Sequence, residues 1–298
     1  MNKNIMKKIL LFIILVNIST VSSQSIQFAD EPEIFLPGVI SIENSEVKIT
    51  FSKDGETVLW GAVGRENGLG GFDIWKSEKS EDEWSEPKAV SFNSADNDFD
   101  PCFSSDGKIL YFFSNRSGGF GGDDIYFVEY DSSSRAFGEP VNMGVVFNTP
   151  GDEWGPTVSA DNNKFLFCTD GLKGKGLHDI FLCERTQDEW SAPKPIDRIN
   201  SAQDDFDPVF LHDNKTIIFS RKFSEDEAFL FISFLTEEGY SPPVRLGEQV
   251  NFSGTWNFGS SIDPSDESYF YYSTYIPDNS NGRLDIYRIK YKLLRDNK

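Results

Sequence analysis

Histidine and cysteine are scarce in this chain: two histidines and three cysteines in 298 residues. With only His178 and His212, a histidine-rich metal site or a Ser/His/Asp triad has little to stand on. No Gly-x-Ser-x-Gly nucleophile elbow occurs either. Both histidines read as surface or turn residues. Cys102, Cys168 and Cys183 are an odd number; buried free thiols are the default, with a Cys168–Cys183 cross-strand bridge as the alternative. Basic residues are also short, 28 Lys and Arg against 48 Asp and Glu, for a net charge of −20. Such a surface repels nucleic acid and anionic membranes, which leaves cations, neutral ligands and proteins as partners.

Long apolar runs are missing after the first residues, and so is sustained helical periodicity. The one early run, Ile9 to Val16, follows Lys3, Lys7 and Lys8 and precedes the small residues Val21 and Ser23. This pattern predicts a cleaved signal peptide over residues 1 to 23, with an uncleaved anchor helix as the alternative. No cysteine follows the run to carry a lipid anchor. Cleavage would remove three lysines and no acid, taking the charge to −23 over 275 residues. The expected location is periplasmic or secreted, with no membrane insertion after signal cleavage.

What the chain has in quantity is aromatic side chains, 14% of the total, and these favour strands. It also repeats. "FSSDGKILYFFSNRSGGFGGDDIYFVEY" from Phe103 returns as "FSKDGETVLWGAVGRENGLGGFDIWKSE" from Phe51 and "VSADNNKFLFCTDGLKGKGLHDIFLCER" from Val158. Looser copies start at Phe210 and Asp263, and the turn residues Asp54, Asp106, Asp161, Asp213 and Asp266 lie 52, 55, 52 and 53 residues apart. Within each copy apolar residues alternate, as in Val58 and Trp60 or Leu110 and Phe112. Asp followed by Gly or Asn before these runs marks a hairpin turn. A third strand opens with Asp73, Asp124, Asp179 or Asp285, and an aromatic three residues before a proline (Trp84 and Pro87, Phe137 and Pro140) marks an edge strand.

Four antiparallel strands per repeat make a propeller blade. The fold class is therefore all-β, a five-bladed β-propeller, with six blades as the alternative. One domain, 24 to 298, should hold it all. The fifth copy has no room for its fourth strand, whereas the segment before Asp54 has a strand to spare. The N-terminal strand should therefore complete the last blade and close the ring.

The unit resembles the WD40-like β-propeller repeats of the TolB type, whose pattern runs roughly FSPDGKxLYFxSNRxGGxGxxDIY. Residues 103 to 126 follow it at most positions, with Ser105 where proline is common. The likeness is weakest in the fourth copy, which lacks the glycine loop and the DIY. TolB is similar to a six-bladed ring with an extra domain, and neither a sixth copy nor such a domain is visible here, so its role does not carry over.

The glycine loop "SNRSGGFGGDD" leads into a strand rather than a helix, so it reads as a permissive turn and not a phosphate cradle. Meander connectivity puts the glycine loops and the inter-blade segments at one end of the ring. There the candidate ligand residues are Asp98 and Asp100 in "NDFDP", Asp205 and Asp207 in "DDFDP", Glu153 and Trp154 in "DEWGP", and Trp256 and Asn257 in "GTWNFGS". Arg65 and Arg116 join them, with Lys173, Lys175, Arg221 and Arg283 on the same face. Three readings compete: aspartates capping their own turns, a Ca²⁺ site although no contiguous calcium loop exists, and a carbohydrate or peptide pocket with tryptophan platforms.

The expectation is a binding or scaffolding module without catalysis and with no required cofactor, taking a cell-envelope protein or glycan. The alternative is a carbohydrate-active enzyme using channel carboxylates as acid and base.

Overall fold

The computed structural model describes residues 24–187 and 189–294; the expected signal peptide, residues 1 to 23, lies outside the described residues. Strand β1 (Ser25–Ile34) comes first. Blade one follows as β2 (Ser45–Phe51), β3 (Thr57–Val63), β4 (Phe72–Ser80), β5 (Glu83–Trp84) and β6 (Lys88–Ala89). Blade two is β7 (Asp98–Phe103), β8 (Ile109–Ser114), β9 (Asp124–Asp131), β10 (Ala136–Phe137) and β11 (Val141–Asn142). Blade three is β12 (Glu153–Val158), β13 (Lys164–Thr169), β14 (Asp179–Thr186), β15 (Glu189–Trp190) and β16 (Lys194–Pro195). Blade four is β17 (Asp205–Phe210), β18 (Thr216–Ser224), β19 (Glu227–Thr236), β20 (Gly239–Tyr240) and β21 (Val244–Arg245). The last is β22 (Phe258–Asp263), β23 (Asp266–Thr274) and β24 (Asp285–Leu294).

Each sheet is an antiparallel meander, and the described residues form five of them. The prolines explain the broken outer strands. Pro87, Pro140, Pro193 and Pro243 each fall between two short pieces that pair separately with the third strand, because proline has no N–H to continue a ladder. At the hairpin between first and second strands, Asp54 accepts hydrogen bonds from the Ser52 hydroxyl (2.6 Å) and the Glu56 N–H (3.0 Å), and Asp106 and Asp161 repeat the arrangement. These side chains fix the turn locally.

The alternating residues noted in the sequence all point between blades. Val58, Trp60, Leu110, Phe112, Phe165, Phe167, Ile217, Phe219, Phe270 and Tyr272 are completely buried. Each core is shared: Leu59 and Ile74 of blade one pack with Leu110, Phe112 and Tyr126 of blade two. No blade can bury its faces without its neighbours.

Closure follows the expected route. Strand β1 pairs antiparallel with β24 from Ser25↔Leu294 to Ile34↔Tyr287, with a bulge between Ala29 and Glu33, and so forms the outer edge of the last blade. Phe28 packs 6.1 Å from Phe270, and Glu33 accepts from Arg288 Nε at 2.8 Å.

The Cys168–Cys183 bridge does not form. Strand register pairs Phe165 with Cys183 and Cys168 with Ile180, an odd offset that puts the two sulfurs on opposite faces of the sheet. All three cysteines are free.

Removing the closing strand should damage the whole ring. Phe28→Ala should cost about 3 kcal/mol, lowering Tm by roughly 6–12 °C. Deleting residues 24 to 40 should abolish a single cooperative calorimetric transition. An unchanged transition would show that β1 is dispensable.

Candidate functional site

All five innermost strands break register at the same place. The residues at these bulges, Lys48, Asp100, Gly155, Asp207 and Gly259, all have left-handed backbones, with φ of 43°, 52°, 59°, 48° and 63°. Each bulge turns one residue toward the ring axis. There Asp207 accepts from the Gly259 N–H at 3.0 Å, and the Lys48 ammonium donates to the Ser260 carbonyl at 2.7 Å. The Asp100 and Asp207 carboxyls are hydrogen-bonded to each other. Burial, and then the neighbouring Asp207 charge, push Asp100 well above the usual carboxylate range, against the pull of Lys48. The two glycines make the room: a Cβ at Gly155 would sit 3.0 Å from Asp207, and one at Gly259 3.0 Å from the Lys48 nitrogen.

Lys48, Asp100 and Asp207 are thus a buried plug across the channel. On the hairpin side of it, a cavity of about 80 Å³ lined by Lys48, Thr50, Cys102, Thr157 and Ser260 follows the axis. That is far below the roughly 300–1,000 Å³ of ordinary ligand pockets.

Two residues earlier on the same strands stand Glu46, Asp98, Glu153, Asp205 and Asn257, each fully buried. They tie down the loops that join the blades. Asp98 accepts from the Ser94 N–H (2.5 Å) and hydroxyl (2.8 Å) and from Arg116 (2.5 Å). Asp205 does the same with Ser201 (2.6 and 2.8 Å) and Arg221 (2.5 Å). Glu153 accepts from the Thr149 N–H, the Thr149 hydroxyl and the Thr169 hydroxyl at 2.9, 2.6 and 2.6 Å. Asn257 bridges the Phe252 N–H (2.9 Å), the Ala228 carbonyl (2.8 Å) and the Thr274 hydroxyl (2.8 Å).

The arginines complete these anchors. Arg65, Arg116 and Arg221 donate to the carbonyls of Val39 and Ile40, Phe92, and Ile199, at 2.7 to 3.0 Å. Their guanidinium groups lie over Trp60 and Trp75, Phe112 and Tyr126, and Phe219 and Phe231. Burial raises the Glu153 and Asp205 carboxyls despite these partners, and holds Glu46 up at about 7 although the Ile42 N–H and Arg65 oppose it.

The glycine loops hold an anion, and it is their own. The N–H groups of Leu69 (2.8 Å) and Gly70 (3.3 Å) point at Asp73, those of Phe120 (2.6 Å) and Gly121 (3.2 Å) at Asp124, and those of Asn281 and Gly282 at Asp285. Lys175 and Gly176 do the same for Asp179. Glycine is required where the loop passes the next inter-blade segment: a Cβ at Gly70 would lie 2.0 Å from the Asp96 carbonyl, and one at Gly176 2.0 Å from that of Gln203.

The tryptophans stand apart from the acids of the plug. Half-buried Trp154 donates its Nε1–H to Asp123 at 2.7 Å and stacks on His178 at 3.7 Å and 20°. Trp256 donates to the Glu225 carbonyl at 2.9 Å and packs against Phe206 and Phe258. His178 is therefore no surface residue: only 7% of it is exposed, because the Trp154 indole covers its ring. Its Nδ1 lies 3.1 Å from Asp204. His212 follows strand β17 at the opposite end, as expected of a turn residue.

No protein-family model matches this sequence, and no curated protein does. Solved structures do match in fold. TolB from Acinetobacter baumannii superposes with a TM-score of 0.50 at 14% identity, over 84% of this chain and 56% of that one, so the chain spans little more than half of that relative. The fold is a TolB-like β-propeller. A protein of unknown function from Dyadobacter fermentans matches this propeller at TM-score 0.53 and 9% identity, over 90% and 99% of the two chains. An α-L-arabinofuranosidase from Lactobacillus brevis matches it at 0.53 and 15%, over 83% and 91%. Among the propeller's described residues no helix is long and apolar enough to cross a membrane.

The Glu46 carboxyl gives the propeller a pH signature. Its native pKa of about 7 exceeds the usual 4.5, so the native state holds the extra proton and stability falls as pH rises between these values. The loss reaches about 3 kcal/mol at neutral pH. Glu46→Gln should flatten the denaturation midpoint between pH 5 and 8; an identical slope in the variant would refute the assignment.

Proposed function

We propose that this propeller is an exported, non-catalytic binding or scaffolding module that docks a cell-envelope protein on its glycine-loop end. One observation carries the reading. Four of the five connections between second and third strands bear an exposed large apolar side chain, Leu69 (62% exposed), Phe120 (48%), Leu177 (69%) and Tyr275 (40%), and in blade four Phe223 (47%) stands at the end of β18 next to the connection. Val145 and Val146, in the segment joining blades two and three, are exposed at the same end. A ring of apolar side chains on a strongly acidic protein is suited to a protein partner. Export rests on the pattern of residues 1 to 23.

The committed state of the acids supports a role without catalysis. Asp98, Glu153 and Asp205 spend their oxygens on loop N–H, hydroxyl and arginine donors, and Asp100 and Asp207 are buried in the plug. A Ca²⁺ ion at this ring would have to displace Arg116, Arg221 or Lys48 from positions where they already balance the charge.

The second reading, a carbohydrate-active enzyme, draws on the Asp100–Asp207 pair, because the raised proton affinity of Asp100 is what a general acid needs. A glycan on the Trp154 or Trp256 side of the ring is the remaining ligand class.

Two outcomes separate these readings. Wild-type protein should capture a discrete partner from envelope extract, and Phe120→Asp with Leu177→Asp should weaken capture at least tenfold at unchanged Tm. Equal capture by both would sink the docking reading. Arabinofuranoside and other aryl-glycoside substrates should show no turnover; turnover lost on Asp100→Asn would put the enzyme reading in its place.

A further inference from the structure

At the glycine-loop end, just beyond the buried anchors, each blade carries one cross-strand row of three residues. Register pairs Ser45, Val63 and Phe72 in blade one; continued one or two positions past the strand ends, it aligns Asn97, Asn115 and Asp123 in blade two. Blade three has Asp152, Asp170 and His178; blade four has Asp204, Lys222 and Ala228; blade five has Trp256, Tyr275 and Leu284. Blade three departs from the others. It alone combines two carboxylates with an imidazole, and their ligand atoms lie within 4.8 Å of one another.

The histidine supplies an independent reason to look here. Its ring is buried against Trp154, Nδ1 faces Asp204 at 3.1 Å, and Nε2 is buried without a hydrogen-bond partner. A buried ring nitrogen with nothing to bond is costly unless a ligand takes it. With Nδ1–H held by a carboxylate, the tautomer is set and the free lone pair is on Nε2, the arrangement of a metal-bound imidazole.

The carboxylates are also prepared. One Asp152 oxygen accepts the Asp123 N–H and one Asp170 oxygen accepts the Asp152 N–H, both at 2.9 Å. These bonds fix the orientation of each group and leave its second oxygen. Asp170 is exposed, so the row opens to solvent.

We propose that Asp152, Asp170 and His178 form a divalent transition-metal site, with Zn²⁺ as the fitting ion. One imidazole and two carboxylates suit zinc over calcium, which takes six to eight oxygens. Three protein ligands leave a coordination position open toward solvent beside the exposed Leu177. Asp204 and Trp154 act on the ion only through the imidazole they hold.

Calorimetric titration of chelator-treated full-length mature protein with ZnCl₂ tests the site. The expected result is one equivalent bound, a raised Tm, and no comparable response to CaCl₂. His178→Gln and Asp170→Asn should each weaken binding at least tenfold, and Asp204→Asn by roughly tenfold. Asp170→Asn keeps an acceptor for the Asp152 N–H, so it tests ligation at intact fold. Co²⁺ added to the wild type should give a visible ligand-field spectrum that His178→Gln alters. Absence of saturable zinc binding, binding that survives both ligand changes, or a preference for calcium would overturn the proposal.

Discussion

Five inner strands converge on one axis, and there is room there for only a few side chains. The left-handed bulge in each strand decides which residue enters: a lysine, two aspartates and two glycines. Any larger set would collide, since a Cβ on either glycine would lie 3.0 Å from Asp207 or from the Lys48 backbone nitrogen. The backbone conformation itself is unfavourable for lysine by about 1–2 kcal/mol. It persists because the surrounding ladders leave no alternative, and because the Lys48 ammonium opposes the charge of the neighbouring buried carboxyls.

That constraint propagates outward. The residue two positions before each bulge is forced between blades, where it becomes the anchor of an inter-blade segment. The anchored segment supports the glycine loop that crosses it, and the loop holds its own aspartate. The polar framework is thus radial, from axis to rim, while the apolar cores fill the wedges between blades.

Much of this was legible in the sequence. Turn spacing gave five units, alternation identified the buried faces, and the missing last strand located the closure. The arrangement of the acids was not legible, for a definite reason. Asp98 and Asp100 stand two apart, which in a regular strand puts both on one face; the bulge at Asp100 separates them, sending one between blades and the other to the axis. His178 was missed because counting histidines by type says nothing of register. Aligned row by row, it is the one imidazole in the position before the third strand. Leu69, Phe120 and Leu177 were concealed in loops whose glycines drew the attention.

The clasp between β1 and β24 joins residues as distant as Ser25 and Leu294. The other strand ladders each lie within one repeat and close a short stretch of chain, with single bridges such as Ser45 to Leu284 and Ala228 to Trp256 crossing between blades. Loop-closure entropy therefore makes the clasp the costliest contact to form and the natural last event of folding. Until it forms, the blades are an open string with unpaired edges at both extremities, and the axis cannot bring Lys48 of the first blade against Ser260 of the last. Completion of the ring and desolvation of its central charges are then a single cooperative step.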